Sequence, residues 1–259
     1  MGTFLFDSTV FGPVYSRRLG SSLGLNLLPD NKKLCNFNCI YCECGLTPRN
    51  SNNGNSLPER AVVKRLLEKR LSDPASEREK IDSITFAGNG EPTMHPEFPG
   101  ILDDVLEIRK KFLPEAKIAV LSNGTLTGHD DIFQALLKTD LNILKMDSFN
   151  EATRKIVNCP LTPVSNEQLL KQYKRFRGKL IIQTLFFRGL YKGLYVDNTA
   201  PDELEALTDA YGEIKPESIM IYTIARDTPY PGLQKVNEKD LRSIAEIIGK
   251  RGIKTLISA

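Results

Sequence analysis

The sequence carries little that would mark a secreted, membrane-spanning or repetitive protein. Its 259 residues include five cysteines, too few for a disulfide scaffold. The opening residues, Met1-Gly2-Thr3-Phe4-Leu5-Phe6-Asp7, lack a basic leader and a long apolar segment. No apolar run is long enough to cross a bilayer, so no membrane role is expected. The thiols are accordingly expected to be reduced, in a cytoplasmic setting. No repeat or low-complexity tract stands out, and residues 50–55 read as a polar loop. The formal charge of +3 is too small to argue for a nucleic-acid partner. The basic run at 171–179, with Tyr173 and Phe176 interleaved, reads first as a solvated helix face. With 41% hydrophobic and 26% charged residues, the composition is that of a folded globule, of a length that α/β barrels often occupy as one domain.

What is present is an alternation. Ser56-Leu57-Pro58-Glu59 resembles a capping box that opens a helix to about residue 71. Strand-like runs at 23–28, 81–87, 117–121, 141–146, 180–187 and 218–224 alternate with helical patterns. The helices are expected at 98–112, 130–137, 151–157, 167–176, 201–211 and 238–250, and a short edge strand at 252–257. Six parallel βα units with outer helices fit this length as a partial (β/α)6 TIM-like barrel. The domain reading is one unit over 1–259: an N-terminal arm and first strand (1–34), a cysteine loop (35–56), and the remaining β/α units (57–259).

In such folds ligands bind at the carboxyl ends of the strands, and polar residues gather there. The second strand ends in Gly88-Asn89-Gly90-Glu91-Pro92-Thr93, the third in Ser122-Asn123-Gly124, and the fourth in Lys145-Met146-Asp147-Ser148. The fifth carries Gln183-Thr184, and the sixth runs through Tyr222-Thr223 to Arg226. Residues two apart on a strand share a face, so Lys145 and Asp147 are expected to point into the barrel, opposite Leu144 and Met146. The bland reading of that pair is a mutual ion pair serving the fold.

The first strand leads into Cys35-x-x-x-Cys39-x-x-Cys42, with Cys44 close behind. Three thiolates can hold an iron–sulfur cluster that normally takes four, leaving one iron open for a small molecule. The same residues with Cys44 as fourth ligand suit zinc, and spacing alone leaves both readings open beside chance.

Cys35-Asn36-Phe37-Asn38-Cys39-Ile40-Tyr41-Cys42, taken with Gly88-Asn89-Gly90-Glu91-Pro92, resembles the radical S-adenosylmethionine (SAM) enzymes over nearly the whole chain. Asn89 stands where many members have the first glycine of a Gly-Gly-Glu motif. The resemblance implies a [4Fe-4S] cluster on Cys35, Cys39 and Cys42, with SAM chelating the fourth iron. It implies that Gly88, Asn89, Gly90 and Glu91 bind the methionyl amino group. Ser122, Asn123, Asp147 and Gln183 are placed against the SAM carboxylate and ribose, and Tyr41 and Tyr222 against the adenine. Lys145 and Arg226 are expected to act in catalysis. The activity implied is reductive cleavage of SAM to a 5′-deoxyadenosyl radical that abstracts hydrogen from a small molecule, a tRNA base or a protein. The partner expected is a low-potential flavodoxin or ferredoxin type of electron donor. The alternatives are an activase of a glycyl-radical protein and a non-catalytic iron–sulfur or zinc protein. Upstream, Phe11-Gly12-Pro13-Val14-Tyr15-Ser16-Arg17-Arg18-Leu19-Gly20 resembles a radical SAM group related to the wyosine-forming tRNA enzymes. Arg17 and Arg18 there suit a carboxylate or phosphate of the substrate, or a pair of solvated arginines. Cys44 reads as a spectator near the cluster, and Cys159 as packing.

Overall fold

A computed structural model describes residues 4–48, 57–73 and 80–258. Strands β1 (Val10–Ser16) and β2 (Gly20–Leu25) form a hairpin, followed by α1 (Arg60–Ser72), β3 (Ser83–Phe86), α2 (Phe98–Phe112) and β4 (Lys117–Ser122). Next come α3 (Asp130–Leu136), β5 (Leu141–Lys145), α4 (Glu151–Asn158), α5 (Asn166–Lys174) and β6 (Ile181–Tyr191). The chain ends with β7 (Leu194–Asp197), α6 (Pro201–Ile214), β8 (Ser218–Thr223), β9 (Leu233–Lys235), α7 (Glu238–Gly249) and β10 (Thr255–Ser258).

The sheet runs β1-β2-β3-β4-β5-β6-β8-β10. From β2 through β8 every neighbouring pair is parallel, which gives the six βα units of the expected partial barrel. β10 adds a further parallel strand on β8, and β1 closes the opposite edge antiparallel to β2. β7 and β9 both pair antiparallel with the far end of β6.

Three expectations need correcting. The first strand lies three residues earlier than 23–28, because the Asn26 side chain accepts from Leu28 N at 3.2 Å and turns the chain there; an Asx turn takes over a strand amide in this way. α1 is capped by Glu59 without a side-chain cap bond, so the capping box at 56–59 does not open it. Ser56 itself, like the loop at 50–55, lies outside the described residues. A true capping box opens α5, where Ser165 and Gln168 satisfy each other's backbone amides. β1, β7 and β9 were not expected. Gly12-Pro13 interrupts β1 at a register shift between Phe11 and Val14, and this hides its strand pattern.

Period-two alternation sorts the strand residues into two cores. Ile84 and Phe86 of β3, Ile118 and Val120 of β4, Leu144 of β5, Ile182 and Phe186 of β6, and Ile219 and Ile221 of β8 face the helices in one large cluster. Onto them α2 lays Phe98, Ile101, Leu102, Val105 and Ile108, the spacing of one helix face. Each such fully buried side chain contributes ~1.5–3 kcal/mol of transfer free energy. The inward residues differ by height. Leu19, Ala119, Ile143, Ile181 and Met220 form a small apolar floor inside the barrel. One step further along each strand, toward its carboxyl end, come Leu121, Lys145, Gln183 and Tyr222, which line a cavity.

Candidate active site

The cysteine loop is sewn to the strand ends on both flanks by main-chain bonds. On one side, Leu34 and Gly90 form an isolated parallel bridge. Leu34 N donates to Asn89 O at 2.8 Å, and Glu91 N donates to Leu34 O at 3.0 Å. Gly90 has φ +147°, and a Cβ there would overlap the Leu34 carbonyl, so only glycine permits this approach. On the other side, Phe37 bridges Pro160, while Asn38 N donates to Cys159 O and Ile40 N to Val157 O. Phe37, Ile40 and Tyr41 then pack with Val157, Leu185 and Phe187 in a cluster of their own.

So held, Cys35, Cys39 and Cys42 line a cavity of about 280 Å³ together with Gly90, Glu91 and Lys145. Among the described residues, no three His, Cys, Asp or Glu side chains converge tightly enough for a single metal ion. Several donors reach the sulfurs. Asn158 Nδ2 lies 3.4 Å from Cys39 Sγ, and Phe37 N lies 3.4 Å from Cys35 Sγ. Lys33 is 2% exposed and donates to Gly45 O at 2.9 Å. Burial works against its charge, but the Cys42, Cys35 and Cys39 thiols around it outweigh that and raise its pKa. The neighbouring Cys44 thiol, with Lys33 assisting, lowers the Cys42 pKa. Burial pushes Cys35 up to about 12. A loop that surrounds a buried ammonium with three thiols and aims N–H donors at two of them suits an anionic thiolate–metal group. That donor set fits the expected cluster.

Glu91, 2% exposed, is clamped from three directions. Its Oε1 accepts from Thr93 N at 3.1 Å, Thr93 Oγ1 at 2.5 Å and Ser122 Oγ at 2.8 Å. Among the described residues its Oε2 accepts from Asn123 N alone, at 2.6 Å. Oε1 is therefore saturated, and Oε2 keeps acceptor capacity. Burial outweighs these bonds and raises the Glu91 pKa. Asn123 is also a strut, donating from Nδ2 to Asn36 Oδ1 at 2.6 Å and lying 3.7 Å from Cys35 Sγ.

Lys145 points inward as expected, with Leu144 and Met146 in the helix-facing core. Its Nζ lies 2.9 Å from the Tyr41 hydroxyl, 3.4 Å from that of Tyr222, and 3.5 Å from Asp147 Oδ2. Burial works to lower its pKa, but Asp147, Tyr222 and Cys39 together outweigh that and raise it, so Lys145 is held protonated. Asp147 is placed differently from the expectation. It is wholly buried, behind the cavity wall, and its oxygens are committed to the protein. Oδ1 accepts from Leu185 N at 2.9 Å. Oδ2 accepts from Asn158 Nδ2 at 2.7 Å and from the Tyr41 hydroxyl. The strand ends at Lys145, so two-residue alternation no longer governs Asp147.

Of the other expected residues, Gly88, Ser122, Asn123, Gln183 and Tyr222 also line the cavity. Asn89 does not, because its side chain fastens Phe6 and Pro29 from behind. Arg226 sits apart from Lys145, 55% exposed and paired with Glu43 at 2.8 Å. The residues missed by sequence reasoning are Lys33, Thr93 and Asn158. Thr93 had a signal, since it follows Glu91 by two; nothing in the Lys32-Lys33 pair marks which of the two is buried.

A family model described as the radical SAM superfamily matches residues 33–194. A protein named GTPase Obg from Brachyspira hyodysenteriae is 27% identical over 90% of this chain, and this chain spans 32% of its length. A UPF0026 protein of Helicobacter pylori is 30% identical over 90% of this chain and is itself 71% covered. Among solved structures, Streptococcus suis SuiB bound to S-adenosylmethionine shares the fold with TM-score 0.64 at 16% identity, covering 91% of this chain and 50% of that one. No helix among the described residues is long and apolar enough to cross a membrane.

Proposed function

The chain belongs to the radical SAM superfamily, and we propose that it holds one [4Fe-4S] cluster on Cys35, Cys39 and Cys42, binds SAM beside it, and starts hydrogen abstraction on a substrate. The observation that carries this is the shared cavity: three thiols, the clamped Glu91 and the inward Lys145 face one space at the carboxyl ends of β2–β5. When bound and reduced by a low-potential flavodoxin or ferredoxin type of donor, the pair supplies the 5′-deoxyadenosyl radical.

The chain's own residues bind, orient and exclude water. Glu91 Oε2 presents its remaining lone pair to an amino group, while Ser122, Thr93 and Asn123 keep the carboxylate from turning. Lys145, held between Tyr41 and Tyr222, offers a fixed positive charge to a carboxylate in the cavity. Tyr222 adds an aromatic wall. Asp147 and Asn89 act as positioning residues, the first by aiming Lys145 and Tyr41, the second by fixing the turn that carries Gly90.

Anaerobic reconstitution should load about four irons per chain and release 5′-deoxyadenosine from SAM under dithionite. Cys39→Ala should lose both. Iron loading and cleavage that survive this substitution would remove the ligand assignment. A second expectation concerns Lys33. Cluster potentials follow local charge. A buried unit charge a few Å away is worth ~2–4 kcal/mol at an effective dielectric of ~20, on the order of 100 mV for a one-electron couple. Lys33→Met should therefore make the cluster harder to reduce by about that much in an EPR-monitored redox titration. An unchanged midpoint would show that Lys33 serves the loop alone.

A further inference from the structure

A second cavity, of about 260 Å³, adjoins the first and shares with it Arg18, Tyr41, Glu43, Leu185 and Tyr222. Its other walls come from the β1–β2 hairpin, including Ser16 and Arg17, and from the segment after β8, including Ala225 and Arg226. Arg18 stands at the seam. Its guanidinium lies 4.4 Å from the Tyr222 ring centroid, and its NH1 donates to Gln183 Oε1 at 2.8 Å. Both partners are neutral. Among the described residues no carboxylate pairs with Arg18, although the acid Glu43 lines the same space and pairs instead with Arg226.

This arrangement orients the arginine without neutralising it. A guanidinium carries five N–H donors in a planar fork that matches oxyanions. Stacking on Tyr222 and one amide bond fix that plane and leave most donors uncommitted. Gln183 is buried, so the contact also holds Arg18 against the strand ends, facing the cavity that the SAM reading assigns to the cofactor.

We propose that the second cavity is the substrate site and that it takes a small molecule bearing an oxyanion, a carboxylate or a phosphate, gripped by Arg18. The inference rests on the SAM reading for the identity of its neighbour, but the anion site stands on its own walls. The volume of the second cavity is close to that of the cavity the SAM reading assigns to the cofactor, which suits a compact molecule. Gripping the anion at the seam leaves the rest of a short molecule against Tyr222 and Leu185, next to the first cavity.

The test is binding of inorganic phosphate and of succinate, in separate arms, to the cluster-loaded protein at constant ionic strength set with chloride. Calorimetry and melting temperature read the result, and SAM binding is measured on the same preparation. One of the two anions should bind saturably at millimolar concentration or below, and which one does identifies the oxyanion. Arg18→Gln should weaken it at least tenfold, and Arg18→Lys less; Ala225→Glu, at a position that lines the second cavity and not the first, is the variant that should leave SAM affinity within twofold. Ala225→Glu, on an exposed wall position of the same cavity, should also abolish anion binding without touching the Arg18 contacts, and it keeps the test open if Arg18→Gln folds poorly. Absence of saturable binding of either anion overturns the proposal, as does binding indifferent to both substitutions. So does binding of bulk tRNA in place of both small anions. Failure of SAM to bind while the anion site behaves as expected would instead count against the cofactor reading.

Discussion

Asp147→Ala should lower the melting temperature of the metal-free protein by roughly 10 °C. The carboxylate is wholly buried and accepts from Leu185 N, Asn158 Nδ2 and the Tyr41 hydroxyl while facing Lys145. Its loss strands three donors and leaves a nearly buried ammonium, 14% exposed, without its counter-charge. Breaking a buried pair from one side costs about 3–5 kcal/mol, and each kcal/mol moves the midpoint by ~2–4 °C at this chain length. Lys145→Met is the informative contrast. It removes the cation but leaves Asp147 its three neutral donors, so it should cost less than half as much. Thermal unfolding followed by circular dichroism decides the order. Equal losses would mean that Asp147 contributes only as the partner of Lys145, not as the anchor of the wall behind it.

Gly90→Ala should be comparably damaging, for a different reason. The added methyl would overlap the backbone carbonyl of Leu34, an atom that cannot rotate away. Strain at φ +147° costs about 1–3 kcal/mol, and separating the bridge forfeits two backbone hydrogen bonds worth ~0.5–1.5 kcal/mol each. The expected sum is about 2–6 kcal/mol, with the loop at 33–45 becoming the first site of limited proteolysis. Gly193→Ala supplies the control. Its φ is +82° but no atom lies within 4 Å of the added carbon, so it should show conformational strain without collision. If the two variants melted together, the bridge would be dispensable.

Much of this architecture was legible in the chain, and the failures have physical causes. α2 was placed to the residue because Phe98, Ile101, Leu102, Val105 and Ile108 keep a helical period without interruption. The parallel strands were legible because both faces of each are buried, giving short continuous apolar runs. β1 was not, since Gly12-Pro13 breaks its pattern, and β9 is only three residues long. In the site, the inward direction of Lys145 followed from alternation, but Asp147 lies one step past the last hydrogen-bonded residue, where alternation ceases to apply. Lys33 was invisible because nothing local distinguishes it from Lys32; its burial is decided by a loop folding around it. Asn89 is the most instructive departure. Read as a weakened glycine, it is a fastening whose amide ties the N-terminal arm and Pro29 to the turn that carries Gly90.

The two main-chain bridges that flank the cysteine loop also bear on damage and repair. In small zinc modules the metal and the fold are lost together. Here Leu34–Gly90 and Phe37–Pro160 are backbone pairings that owe nothing to what the thiols hold. On the proposed cluster reading, a chain that lost its iron to oxygen would keep the cradle, with Cys35, Cys39 and Cys42 still lining one space. Oxidative loss of the proposed cluster would then be a maintenance event, reversed by resupply of iron and sulfide without a return through folding.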